Sequence, residues 1–196
     1  LACAANAQTN LRAHAADGNR VYSFHLGDMN MSTPANVMDA AVAAMRTGKT
    51  GYCPPAGIPE LREALAADIN RSHDLDYAAD NVVIQPGGKP VIAKFFMALL
   101  NPGDEVLYPN PGYPIYESQI EFLGGKAIPY GYHEGEENFE LYVDEIESLI
   151  TPRTRFLVLN NLQNPTGAES SHRELSDIAA LVEKYDKLLM GGIWAL

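Results

Sequence analysis

Basic residues are scarce in this 196-residue chain: 14 lysines and arginines stand against 25 aspartates and glutamates, for a formal net charge of −11. A nucleic acid or an anionic membrane surface would be repelled, so neither is an expected partner. Cysteine is scarcer still. Cys3 and Cys53 form no C-x-x-C pair and make no disulfide framework, which points to a reducing, cytoplasmic compartment. No stretch approaches the roughly 20 apolar residues of a membrane span, and Leu1 to Asn10 lacks the charged start and apolar core of a secretory leader. The five histidines, His14, His25, His73, His133 and His172, show no H-x-x-x-H or Cys/His ligand spacing, so no metal site is expected. A G-x-S-x-G hydrolase elbow, internal repeats and low-complexity linkers are also missing.

What is present is the balance of a packed domain, 46% apolar and 20% charged. Residues 1 to 20 are Ala- and Asn-rich without a clear period and read as a helical arm or mobile lead-in. A short strand is expected over Val21 to Gly27. Thr33-Pro34 then predicts a helix start, with Val37, Ala40, Ala41, Ala44 and Met45 on one face. Pro59 opens another helix, whose buried stripe would be Leu61, Ala64, Leu65 and Ile69. From Asn81 short apolar strands alternate with amphipathic helices: strands at Val82 to Gln85, Glu105 to Tyr108, Lys126 to Pro129, Phe156 to Leu159 and Lys187 to Met190. The helix from Lys89 would turn Val91, Ile92, Phe95, Phe96 and Leu99 inward, and Ser171 with Glu174 forms a capping box for the last helix. Strands separated by helices need crossover connections, so the sheet should be largely parallel and covered on both faces. Ligands bind such sheets at the carboxyl ends of the strands, which directs attention to the loops after Gln85, Tyr108 and Leu159.

In the first loop, Gln85-Pro86-Gly87-Gly88-Lys89-Pro90, two glycines allow close backbone approach to an anion at a helix start. A Walker A loop does not fit, because Val83 stands where its first glycine should be and Pro90 follows the lysine. In the second, Pro109 to Pro114, three prolines and a glycine fix a tight loop that can present Tyr113 for stacking on a flat ligand. In the third, Asn164-Pro165-Thr166-Gly167, an asparagine in a proline turn offers both a donor and an acceptor. Taken singly, the Gly-Gly pair reads more readily as an ordinary strand-to-helix turn, a tyrosine in a turn is more often packing than function, and Asn-Pro is a common turn initiator.

Together, in order, they resemble the class I and II aminotransferases, fold-type I enzymes that depend on pyridoxal 5′-phosphate. The resemblance rests on Leu26-Gly27-Asp28 with Thr33-Pro34; Tyr52 with Ala56-Gly57-Ile58-Pro59-Glu60-Leu61-Arg62; Pro86-Gly87-Gly88-Lys89; Asn101-Pro102-Gly103-Asp104-Glu105-Val106 through Tyr113 and Tyr116; and Asn164-Pro165-Thr166-Gly167. It implies an α/β fold, a three-layer α-β-α sandwich with a mostly parallel sheet. Residues 1–48 would be an N-terminal arm and small-domain segment, and residues 49–196 an incomplete cofactor-binding large domain. Gly87, Gly88 and Lys89 would give the cofactor phosphate backbone donors, Tyr113 would stack on its ring, and Asn164 would hydrogen-bond its phenolic oxygen. Tyr52 would reach the phosphate of a neighbouring subunit, which implies a homodimer, and Gly27 would lie where the family closes over the substrate carboxylate. Amino acids and 2-oxo acids would be the substrates.

The same resemblance identifies what this stretch lacks. The chemistry needs a Schiff-base lysine and a carboxylate beside the pyridine nitrogen. The family's carboxylate falls on a strand that here reads Met190-Gly191-Gly192-Ile193-Trp194, with glycine at 191. None of the six lysines, Lys49, Lys89, Lys94, Lys126, Lys184 and Lys187, matches the Schiff-base position, so no catalytic residue is nominated. The expectation is the N-terminal portion of an aminotransferase, inactive alone. A non-catalytic cofactor-binding or interaction module and another fold-type I enzyme, a lyase or decarboxylase, are the alternatives.

Overall fold

The computed structural model describes residues 2–22, 27, 31–136, 138–185 and 188–194. It divides into two compact units, residues 1–53 and residues 54–196.

The first unit holds α1 (Ala2–Ala16) and α2 (Ala35–Arg46). The strand expected over Val21 to Gly27 falls largely outside the described residues. Pro34 is itself the N-cap of α2, so the helix begins one residue later than the Thr33-Pro34 signal suggested, and no side chain caps it. Its C-terminus is closed by Gly48, whose φ of 81° suits a residue without a Cβ. Of the face expected to turn inward, Val37, Ala40, Ala41 and Met45 are exposed and Ala44 is half-buried, and α2 buries none of its residues.

The second unit is a three-layer α/β sandwich. A parallel sheet in the order β2-β1-β5-β6 is formed by β1 (Glu105–Pro109), β2 (Lys126–Tyr130), β5 (Thr154–Asn161) and β6 (Leu189–Trp194). Strand alternation divides the core into two layers. Val106, Tyr108, Phe156 and Val158 point to one face, where they meet Ile92 and Phe96 of α4 (Gly88–Leu99) and Tyr116 and Ile120 of α5 (Ile115–Phe122). Leu107, Leu157 and Leu159 point to the other. There they meet Ile146 of α6 (Val143–Ser148) and Ile178 and Leu181 of α7 (His172–Lys184). The Ser171–Glu174 capping box of α7 forms as the sequence suggests, with Glu174 N–H donating to Ser171 Oγ at 3.2 Å. A two-residue antiparallel pair, β3 (His133–Glu134) with β4 (Phe139–Glu140), was not foreseen in the acidic segment.

Three expectations are corrected. Val82 to Gln85 is extended but joins no ladder among the described residues. It is held instead by Ile84 N–H on the Ala56 carbonyl at 2.9 Å and by Arg62 Nε on the Val82 carbonyl at 2.9 Å. Gly57, with φ 103°, passes so close beneath it that a Cβ there would lie 2.5 Å from Ile84 Cγ1. In α3 (Pro59–His73) only Ala66 is buried, not the Leu61 stripe. In α4 only Ile92 and Phe96 are buried, while Val91, Phe95 and Leu99 stay exposed. Helical periodicity finds the apolar face, but the neighbouring elements decide how much of it is covered.

At the N-terminal end of β1 a buried carboxylate ties three segments together. Glu105 is 1% exposed and accepts from Thr151 Oγ1 at 2.6 Å, Arg153 Nη2 at 3.1 Å and Lys126 Nζ at 3.4 Å. The Thr151 hydroxyl, with Lys126 and Arg153, outweighs burial and holds this carboxyl below its ordinary range. A group whose folded value is depressed stabilises the fold fully above its unfolded value, and that stability is lost as pH falls through the folded value. Glu105→Gln should therefore lower stability at pH 7 by about 1–3 kcal/mol. Urea titrations between pH 7 and 3 should show the gap to wild type narrowing as the pH drops. A gap that stays constant would contradict this account.

Candidate functional site

Chain direction places the crevice. After β1 the chain enters α5 on one face of the sheet, whereas after β5 it enters α7 on the opposite face. The two connections leave adjacent strands toward opposite faces, and it is beyond the carboxyl ends of such a strand pair that open α/β sheets bind ligands. Residues 110–114 and 162–171 are the two walls.

The Gly-Gly turn begins α4. Gly87 takes φ 97° and ψ 167°, a conformation L side chains rarely adopt, and caps the helix without a side-chain bond. Its N–H turns back to the Gln85 carbonyl at 2.9 Å. The amides of Gly88 and Lys89 carry no hydrogen bond among the described residues. A Cβ built on either glycine meets nothing within 4 Å, so the space beside the turn is open. Unpaired amides at the positive end of a helix dipole suit an anion. Lys89 Nζ lies 5.9 Å from the centroid of the Tyr113 ring, so this turn and the loop after β1 face each other.

That loop is tightly built. Asn110 N–H donates to the Tyr130 carbonyl at 2.8 Å, and Gly112 packs against the Pro109 backbone. Tyr113 is half-buried and meets Tyr116 edge-on, centroids 6.0 Å apart at 88°. Tyr116 is 1% exposed, and burial pushes its phenol up to about 12, so it is a neutral packing partner for Tyr113.

The third loop follows β5. Leu162 adopts φ 52° and is exposed, while the next side chain, Gln163, is 1% exposed. Asn164 N–H donates to Asn160 Oδ1 at 3.0 Å, and the Asn164 side chain is exposed. Gln163 Nε2 donates to the Pro111 carbonyl at 2.5 Å, joining this loop to the Tyr113 loop. Gly87, Gly88, Lys89 and Tyr113 thus lie on neighbouring loops, and Asn164 follows Gln163, the residue that links its turn to them. Sequence reading nominated neither Asn160 nor Gln163. The available signal was four amides within Asn160 to Asn164, where a buried apolar strand ends.

Gly27 and Tyr52 lie in the first unit. Gly27 is exposed between residues outside the described set, and the Tyr52 ring is fully exposed. Gly191 pairs with Val158, and a Cβ there would make an ordinary 3.7 Å contact with Phe95 Cε1. A Cβ would fit at 191, yet no carboxylate stands there. Among the described residues no His, Cys, Asp or Glu cluster could hold a metal ion. A cleft of about 900 Å³ on the α6–α7 face has five carboxylates in its lining, Glu140, Asp144, Glu169, Glu174 and Asp177, against one arginine, Arg173, a balance that disfavours phosphate.

Comparison with known proteins agrees with this fold. The model of the family described as Aminotransferase class I and II matches residues 21–190. A probable aspartate/prephenate aminotransferase of Aquifex aeolicus is 39% identical over 169 residues, covering 86% of this chain and 42% of that protein. The aspartate/prephenate aminotransferase of Thermus thermophilus is 38% identical over 164 residues, with 84% and 42% covered. Among solved structures, an alanine aminotransferase from Pyrococcus furiosus superposes with a TM-score of 0.89 at 30% identity, over 97% of this chain and 48% of that one. Thermus thermophilus aspartate aminotransferase with maleate gives 0.87 at 34%, over 97% and 50%. The chain spans about half the length of the relatives it matches.

Proposed function

Starting from the class I and II aminotransferase family, to which this chain belongs, we propose that it supplies the cofactor-binding part of a pyridoxal 5′-phosphate-dependent enzyme exchanging an amino group between an amino acid and a 2-oxo acid. The observation that carries the reading is the meeting of the Gly87–Lys89 turn with the Tyr113 loop at the switch between β1 and β5. The cofactor fits these residues: unpaired Gly88 and Lys89 amides for its phosphate, the Tyr113 ring for its plane, and the exposed Asn164 carboxamide for its phenolic oxygen. When bound, pyridoxal phosphate supplies an electron sink for bond changes at an amino acid's α-carbon. The residues of this chain bind and orient it. The helix start neutralises phosphate charge, and the half-buried ring excludes water from one side of the plane. Within this reading Tyr52 and Gly27 serve a homodimer's shared site and its substrate carboxylate, in a cytoplasmic protein. The alanine, aspartate and prephenate specificities in the relatives' names leave the substrate side chain open.

Gly191 favours a second reading, a module that holds the cofactor without chemistry. Titrating pyridoxal phosphate into the chain tests the first requirement of both. We expect saturable binding, followed by its absorbance, that inorganic phosphate displaces and that Tyr113→Ala weakens about tenfold. Absence of saturable binding, or equal affinity in Tyr113→Ala, would sink the assignment. Under either reading borohydride should trap no lysine adduct in this chain, because none of its six lysines matches the Schiff-base position; a reduced adduct at one site would instead show that this chain supports catalysis itself.

A further inference from the structure

We infer that Gln163 is a positioning residue that clasps the mouth of the crevice and holds the Tyr113 ring in register with the Asn164 turn. The inference rests on the cofactor reading above. Its basis is one buried carboxamide with both ends engaged. Nε2 donates to the Pro111 carbonyl at 2.5 Å, and Oε1 accepts from Thr166 N–H at 3.0 Å and Thr166 Oγ1 at 2.5 Å. Pro111 lies two residues before Tyr113, and Thr166 two residues after Asn164. A single side chain thus joins the two walls.

Topology explains why such a link is needed. Within the sheet, β1 and β5 are held by ladder bonds, but beyond Pro109 and Asn161 the chains diverge toward opposite faces. Among the described residues no other hydrogen bond joins residues 110–114 to residues 162–167. Gln163 also shapes its own turn, with its N–H on the Ala168 carbonyl at 2.9 Å and its carbonyl accepting from Gly167 N–H at 2.6 Å. A glutamine suits the place because it needs a donor and an acceptor on one short group, which an ionised carboxylate or an apolar side chain does not offer. A polar group buried this completely is costly when unpaired and rigidifying when satisfied. Small displacements of orienting groups carry large functional effects.

The test is a double-mutant cycle on pyridoxal phosphate affinity and on the circular dichroism of the bound cofactor, which reports ring orientation. Gln163→Met keeps the volume and removes all three side-chain bonds. It should weaken binding about tenfold in the wild-type background and by no more than about threefold in Tyr113→Ala, where the ring it orients is gone. An equal factor in both backgrounds, or unchanged affinity and dichroism, would overturn the clasp. If Gln163→Met does not fold, Thr166→Val, which removes the hydroxyl bond to Gln163 Oε1 and the one from Ala168 N–H but leaves the Thr166 N–H and Pro111 bonds to Gln163, carries the same cycle with a smaller factor. Should wild type bind no cofactor, the cofactor reading fails on its own. The clasp is then read from hydrogen exchange of the Gly112 and Tyr113 amides, which either variant should accelerate; unchanged exchange refutes it.

Discussion

Phe156→Ala should remove about 3–5 kcal/mol of stability, a large share of what a domain of this size possesses. Phe156 is 0% exposed in β5 and meets Phe95 and Phe96 edge-on, with ring centroids 5.4 Å and 6.1 Å away. Its face of the sheet also packs Ile92, Val106 and Tyr116, so the ring is the point where β1, β5, α4 and α5 converge. Deleting it loses the transfer energy of the ring and leaves a cavity that strands fixed by ladder bonds cannot close. Phe156→Leu retains most of the volume and should cost less than half as much. Denaturant midpoints for both variants check this, and a loss below about 1 kcal/mol for the alanine would show that the ring is not in the core. The effect should reach the site, because α4 begins at the Gly87–Lys89 turn and β5 ends at the Asn160 amide run.

The layers were legible because a fully buried parallel strand announces itself. Val106-Leu107-Tyr108 and Phe156-Leu157-Val158-Leu159 are continuous apolar runs, and each alternates between the two cores as the pleat requires. The Ser171 capping box was equally local, hence equally readable. Val82 to Gln85 was misread as a paired strand because apolar composition signals an extended chain and not its hydrogen-bond partners, which here are Ala56 and Arg62. The exposed Leu61 and Phe95 were misread for a related reason: the 3.6 period marks a face suited to burial, but coverage depends on distant elements. At the site, Gly87, Gly88 and Tyr113 could be nominated from sequence because their roles depend on backbone conformation and on one ring. Gln163 could not, because its meaning lies in a contact 52 residues away.

Gly112→Ala should abolish measurable cofactor binding while leaving the sheet intact. A Cβ at 112 would sit far inside van der Waals contact distance of the Pro109 carbonyl oxygen and 3.0 Å from its carbonyl carbon. Those are backbone atoms at the buried end of β1, so no rotamer change relieves the clash; the loop itself has to move. Tyr113 is the adjacent residue and Pro111, which accepts the Gln163 bond, is the other neighbour, so displacement would swing the ring and break the link across the crevice together. A misplacement of about 1 Å at an orienting group can cost on the order of a hundredfold, and losing both restraints should cost at least that in affinity. Gly131→Ala supplies the control, because a Cβ there meets nothing within 4 Å in the loop after β2. Far-ultraviolet circular dichroism should match wild type in both variants, with pyridoxal phosphate titration separating them. Retained affinity in Gly112→Ala would mean that the loop tolerates the methyl group and that the placement of Tyr113 does not govern binding.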